Sequence, residues 1–132
     1  MKLTYALCAL TITTTAFAKE YPKSTVFAYG TEGYNIYRIP TIVRAANGDL
    51  LAFCEARVGG DASEIDLVMK RSGDRGKSWC VVTVVQENTA FADLFPEDAP
   101  PITIGNPAPV VDLLNPEHPG RINAANKYMS FY

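Results

Sequence analysis

The sequence predicts an all-β fold, and three observations carry the prediction. Short apolar runs recur along the chain between clusters of turn residues. An Asn47-Gly48 pair, a strong hairpin signal, separates the first two of these runs. The octapeptide Ser72-Gly73-Asp74-Arg75-Gly76-Lys77-Ser78-Trp79 then joins the third run to the fourth.

The opening segment is read apart from the fold. Lys2 is followed by a mostly apolar stretch over 3–12, and Ala16-Phe17-Ala18 supplies small residues where a signal peptidase reads. Residues 1–18 are expected to be a secretory signal, too short and too interrupted to span a membrane. An apolar first strand is the competing reading. The mature product is then expected to be secreted, periplasmic or at the cell surface. Residues 19–132 suffice for one small domain with a modest core.

Residues 39–45 (IPTIVRA) read as the first strand, ended by Asn47-Gly48. Residues 50–55 (LLAFCE) are apolar without alternation, as in a strand covered on both faces. A polar loop over 58–63 follows. Over 65–71, Ile65, Leu67 and Met69 alternate with Asp66, Val68 and Lys70. Residues 79–86 (WCVVTVVQ) form the fourth strand. Four consecutive strands joined by tight turns make an antiparallel meander over 37–86. Residues 88–101, with Pro96, Pro100 and Pro101, read as an exposed connection. Strand character returns over 102–114, where Pro107 and Pro109 confine it to an edge or a strand start. Residues 115–120 are another turn, and 121–132 show no clear period.

Charge and cysteine content narrow the function classes. The formal net charge is -2 with both signs interspersed, so neither a basic stripe for nucleic acid nor an acidic tail is present. Past residue 18 the cysteines are Cys54 and Cys80. On the second and fourth strands they would sit about 9–10 Å apart. A disulfide needs Cα atoms within about 7 Å, so two free, buried thiols are expected. No metal or other cofactor is expected: Asp74 is the only carboxylate of the octapeptide, and His118 stands beside Pro119 in a turn.

The octapeptide is explicable residue by residue as a stabilised turn. Ser72 and Asp74 carry short oxygens that accept backbone N–H groups. Gly76 is free to take a positive φ, and Trp79 can fold its ring back beside the turn. Its role is structural, not catalytic.

Ser-x-Asp-x-Gly-x-x-Trp resembles the Asp-box pattern, and Tyr37-Arg38-Ile39-Pro40 resembles the Phe/Tyr-Arg-Ile-Pro motif of sialidases (neuraminidases). With Glu55-Ala56-Arg57 and an acidic loop between them, the two look like the first blade of a secreted exo-sialidase. The stretch from Ile104-Gly105-Asn106-Pro107 to Asp112 resembles the segment opening that family's next blade. The resemblance covers roughly 29–112 and fades after Arg121. It implies a six-bladed β-propeller, of which 37–86 would be the first blade and 102–132 the start of the second.

The resemblance also implies an activity, the hydrolysis of terminal sialic acid from sialylated glycans (glycoproteins, glycolipids or oligosaccharides). Sialic acid carries a carboxylate on its anomeric carbon, and the planar fork of an arginine grips a carboxylate through two parallel bonds. Arg38 matches the first of three arginines that share this task in the family; otherwise it is a strand-end arginine in a surface ion pair. Arg57 matches a further substrate-contacting arginine, and the alternative is a pairing with Glu55 or Glu64. Asp61, on a Gly59-Gly60 loop, matches the general acid/base that protonates the leaving oxygen and then activates water. Glu64 and Asp66 remain alternatives, as does a merely solvated Asp61. The family's tyrosine nucleophile, its assisting glutamate and the other two carboxylate-binding arginines belong to later blades. Neither Tyr128 nor Tyr132 has matching context.

One blade and part of another leave faces uncovered, and repeat folds generally need about three units. A chain of this length is therefore expected to resemble the N-terminal part of a sialidase and to be inactive alone. Two other readings stand beside it. One is a non-catalytic Asp-box propeller or sialoglycan-binding module; the other is a small β-domain in which the motifs serve folding only.

Overall fold

A computed structural model describes residues 20–97 and 103–130. The expected signal, residues 1–18, lies outside the described residues, as do Pro100, Pro101 and Tyr132. The fold is all-β, with six strands and one short 3-10 helix among the described residues. The strands are β1 (Ile36–Arg44), β2 (Leu50–Arg57), β3 (Ile65–Ser72), β4 (Thr83–Gln86), β5 (Thr103–Asp112) and β6 (Arg121–Ser130). They form one mixed sheet in the order β1-β2-β3-β5-β6, with β4 also paired to β3.

β1 to β4 form an antiparallel meander. The β2–β3 register is unbroken from Leu50 opposite Ser72 to Arg57 opposite Ile65. β2 is buried along its last six residues, because both faces of this sheet are covered. On one face Cys54, Ala56 and Val68 form the core, and Phe27, Tyr34, Tyr37 and Val82 pack against it. The segment preceding β1 thus closes that face. Phe27 stacks on Tyr37 at 5.1 Å between ring centroids, and Tyr34 meets Tyr37 edge-on at 6.0 Å. Lys70 lies over the Phe27 ring and pairs with Glu32 at 2.5 Å. On the opposite face, Gly105 and Asn106 of β5 come against Glu55.

The β1–β2 turn is not a two-residue loop centred on Asn47-Gly48. Gly48 N–H donates to Ala45 O at 2.9 Å, and Ala45 N–H to Asp49 O at 2.8 Å. Gly48 therefore takes the left-handed position (φ 93°) of a three-residue connection.

Four further expectations need correcting. The fourth strand begins at Thr83, not at Trp79, because residues 79–82 run irregularly after the turn and β3 offers β4 only a short ladder. Cys80 therefore precedes β4 and is exposed rather than buried; Cys54 is buried, and both thiols are free. The connection after β4 is not wholly irregular, since Asn88–Leu94 forms a 3-10 helix. Residues 121–130, without visible period, form a full strand. Its register runs from Asp112 opposite Arg121 to Thr103 opposite Ser130, so pairing with β5 makes the strand where alternation does not announce it. Beyond β6, the outer ladder of β5 is a single parallel pair, Ile65 with Thr103. A strand so placed tolerates Pro107 and Pro109, which lack N–H donors.

Candidate functional site

Arg38, Arg57 and Asp61 come together at one end of the β1–β2–β3 sheet. Arg38 stands opposite Glu55 in the β1–β2 register. Directly paired residues share a face, and so do residues two apart on one strand. Arg38, Glu55 and Arg57 therefore line a common face, away from the Cys54–Ala56–Val68 core.

Immediately after Arg38 the ladder breaks. Ile39 and Pro40 oppose Cys54 alone, because Thr41 already pairs with Phe53. Ile39 has φ 54°, a left-handed conformation that a β-branched residue resists. Strain of this kind persists only where the surroundings enforce it. Here the Cys54 thiol donates to the Arg38 carbonyl at 2.9 Å, inside the bulge. Burial, with the Glu55 charge beside it, pushes that thiol up to about 11. The Arg38 side chain is exposed and makes no hydrogen bond or ion pair among the described residues.

Arg57 is the opposite case. It is 7% exposed and fully engaged. Its Nε donates to Glu55 Oε2 at 3.0 Å, its Nη2 reaches the same oxygen, and its Nη1 pairs with Asp61 Oδ1. Burial alone would lower the guanidinium, but the two carboxylates outweigh it and hold it further up. Of the pairings open in the sequence, Glu55 is taken and Glu64 is not. Glu55 is itself 3% exposed, and its second oxygen accepts Asn106 N–H from β5 at 2.7 Å.

Asp61 sits on the loop between β2 and β3 with its side chain 82% exposed. Ser63 shapes this loop: its Oγ accepts Gly59 N–H at 3.1 Å and donates to Gly60 O at 2.8 Å. The hydrogen bond from Arg57, then the Arg57 charge, with a contribution from Arg38, hold the Asp61 carboxyl below the usual range. The other two acids lie elsewhere. Glu64 is exposed just before β3. Asp66 faces the aromatic side, accepting Tyr34 O–H at 2.7 Å and Asn88 N–H at 2.9 Å.

Neither tyrosine near the motif is poised as a nucleophile. Tyr34 O–H donates to Asp66, and burial, then that carboxylate, push its phenol up. Tyr37 O–H donates to Thr31 O at 2.9 Å, and burial pushes it up too. Among the described residues no group of three or more His, Cys, Asp or Glu side chains is arranged to hold a metal ion. No helix among them is long and apolar enough to cross a membrane.

The octapeptide lies at the other end of β3. Ser72 Oγ accepts Gly76 N–H at 2.8 Å and donates to Asp74 Oδ1 at 2.8 Å. Asp74 also accepts Lys77 N–H, Ser78 N–H and Ser78 O–H. The Ser78 hydroxyl and amide, then Ser72, hold its carboxyl far below the ordinary range. Gly76 has φ 83°, and Trp79 Nε1 donates to Ser24 Oγ at 3.1 Å. Every oxygen named here is committed to the turn. Sequence reasoning overlooked the Ile39 strain and the Glu55–Asn106 contact. The visible signal for Glu55 was its spacing of two from Arg57 on a strand.

No family model matches the chain. It is similar to an exo-alpha-sialidase. That protein, from Aspergillus fumigatus, is 34% identical over an alignment of 91 residues, and the match takes in 61% of this chain. The chain spans 19% of that relative's length. The likeness gives limited support to a sialidase-like family, in keeping with an all-β chain.

Proposed function

We propose that this chain supplies one side of a sialic-acid site in an exo-α-sialidase, a glycoside hydrolase acting on terminal sialic acid of sialylated glycans. The observation that carries the reading is Arg38, exposed and unpaired among the described residues, on the same sheet face as an Arg57 whose Nη1 holds the exposed Asp61. Similarity to a protein named as an exo-alpha-sialidase supports it. In this reading the β1–β4 meander is a propeller blade, β5 and β6 open the next, and the protein works outside the cell, where such glycans are presented.

Each residue then has a chemical task. Arg38 offers a free planar fork to the sugar carboxylate. Arg57 gives up Asp61 and turns Nη1 to a sugar oxygen. Asp61, freed from the cation that holds its carboxyl low, takes up a proton more readily and delivers it to the leaving glycosidic oxygen. It then takes a proton from the incoming water. The nucleophile is not among Tyr34 and Tyr37, whose hydroxyls are committed elsewhere.

A second reading, a sialoglycan-binding module without hydrolysis, is favoured by one observation: without ligand, Asp61 is held ionised by Arg57. Nuclear magnetic resonance on isotope-labelled chain tests both. N-acetylneuraminic acid is expected to shift the Arg38 and Arg57 side-chain signals and the 59–61 backbone, galactose to leave them unmoved, and Arg38→Ala to abolish the response. Equal shifts with galactose, or an undiminished response in Arg38→Ala, sink the site. With binding established, a full-length version that carries the later blades separates the two: free aglycone released from a fluorogenic sialoside supports the hydrolase, and binding without release supports the module.

A further inference from the structure

We infer that Glu55 is the positioning residue of this site: it selects the edge of Arg57 that faces the Asp61 loop, and β5 holds it there through Gly105 and Asn106. The inference rests on the reading of Arg57 as a ligand-contacting group, although the contacts that carry it do not depend on that reading.

A guanidinium presents five donors around a rigid plane, so what occupies one edge decides what another can meet. Glu55 Oε2 takes the Nε–Nη2 edge of Arg57 from below the surface. That leaves Nη1 for the loop, where Asp61 now sits. The two partners differ sharply in access, since the Glu55 side chain is 3% exposed and that of Asp61 82%. A ligand oxygen arriving from solvent therefore displaces Asp61 and leaves Glu55 in place. Arg57 becomes a cation with one permanent anionic partner and one exchangeable partner, and Glu55 makes that division.

Glu55 is itself held from outside its own strand. Its Oε1 accepts Asn106 N–H at 2.7 Å, across 51 residues of sequence. Asn106 has φ 55°, a left-handed conformation that asparagine tolerates. Its neighbour Gly105 has no such φ; what it supplies is space. A Cβ at position 105 would lie 2.6 Å from Glu55 Oε1 and 3.4 Å from Glu55 Cδ. Any side chain there must push the carboxylate aside, and with it the guanidinium. Both oxygens of a buried carboxylate are thus satisfied, one by the arginine and one by the β5 backbone, which is what an ionised group out of water requires. The orientation of Arg57 is consequently set jointly by β2 and β5.

The test reads Arg57 directly and needs no catalysis. In the wild-type chain the Arg57 Nε–H is expected to exchange with solvent on the order of 100-fold more slowly than that of Arg38, because it is buried and hydrogen-bonded. Glu55→Gln is expected to erase most of that protection. Gly105→Ala is expected to do the same while leaving both charges in the sequence. In each variant the Ala56 and Val68 amides should keep their protection, which separates a moved carboxylate from a loosened core. Should either variant fail to fold, scalar coupling through the Asn106 N–H to the Glu55 carboxyl carbon reads the same contact in the wild type. Unchanged Arg57 protection in a folded Gly105→Ala, or absent coupling, overturns the inference. If coupling and protection are present but N-acetylneuraminic acid fails to move Arg57, the positioning role stands and the proposed function falls.

Discussion

The two ends of the β2–β3 hairpin handle their polar groups in opposite ways. Where Leu50 meets Ser72, the hydrogen bonds of the Ser72 and Asp74 side chains run between residues no more than four apart, and Ser24 adds a long-range contact to Gly76 O and the Trp79 ring nitrogen. Where Arg57 meets Ile65, the carboxylate holding Arg57 is completed by a backbone group 51 residues away. One end satisfies its carboxylate as soon as the turn forms. The other is assembled only when β5 docks, and it leaves an arginine at the surface without a partner among the described residues. A self-satisfied turn has nothing left to offer a ligand, whereas a rim with a free cation and an exchangeable carboxylate does.

The largest expected effect is at the second end. Glu55→Ala strips a buried arginine of its permanent partner and orphans Asn106 N–H. Loss of one member of a buried pair typically costs about 3–5 kcal/mol, read from urea denaturation. Replacing both members with apolar residues of similar volume, Glu55→Leu with Arg57→Met, should restore most of that loss. If Glu55→Ala costs no more than an exposed substitution, the arginine end is not the long-range assembly described. At the turn, Ser72→Ala leaves Gly76 N–H without its acceptor inside a buried position. The expected cost is about 1–3 kcal/mol, smaller than at the rim because one neutral hydrogen bond is lost rather than a charge left bare.

What was legible in the sequence follows the same division. The alternation over β3, the unbroken apolar run of β2 and the octapeptide chemistry all depend on neighbours a few residues apart. Linear reading reaches them. The β6 strand escaped because its pairing comes from β5 and its Asn123–Lys127 stretch carries no period of its own. Cys80 was misplaced because an irregular stretch over 79–82 delays β4 by several residues. At the rim, Arg38, Arg57 and Asp61 were visible as residue types, but the arrangement that distinguishes them was not. Nothing local says that Arg57 is buried between two carboxylates while Arg38 stands free. Asp66 alternates in a way that places it on the aromatic face, and its bond from Tyr34 follows from that face alone.

Acid titration compares the two ends through their carboxyls. Both Asp61 and Asp74 are held below the usual carboxylate range. Each therefore contributes stability that is complete above its unfolded pKa and is lost as pH falls through its lowered folded value. Asp74 has four hydrogen bonds from the turn, whereas Asp61 answers to the side chain of Arg57. Carboxyl carbon shifts are expected to show Asp61 protonating at the higher pH, with the turn intact after the rim has let go. The reverse order would mean that the rim, not the turn, is the more tightly satisfied end.

The smallest expected effect on stability is the most telling for function. Arg38→Ala removes an exposed side chain without a partner among the described residues. Substitutions of that kind usually fall within about 0.5 kcal/mol of neutral, and the melting midpoint should barely move. The Ile39 bulge is built from backbone and from the Cys54 thiol, so it does not need the guanidinium. Under the proposed function, this cation beside a strained β-branched residue serves the sugar carboxylate rather than the fold. A destabilisation of 2 kcal/mol or more, by the ordinary scale of lost buried contacts, would instead give Arg38 a structural task and remove the chief contrast between the two ends.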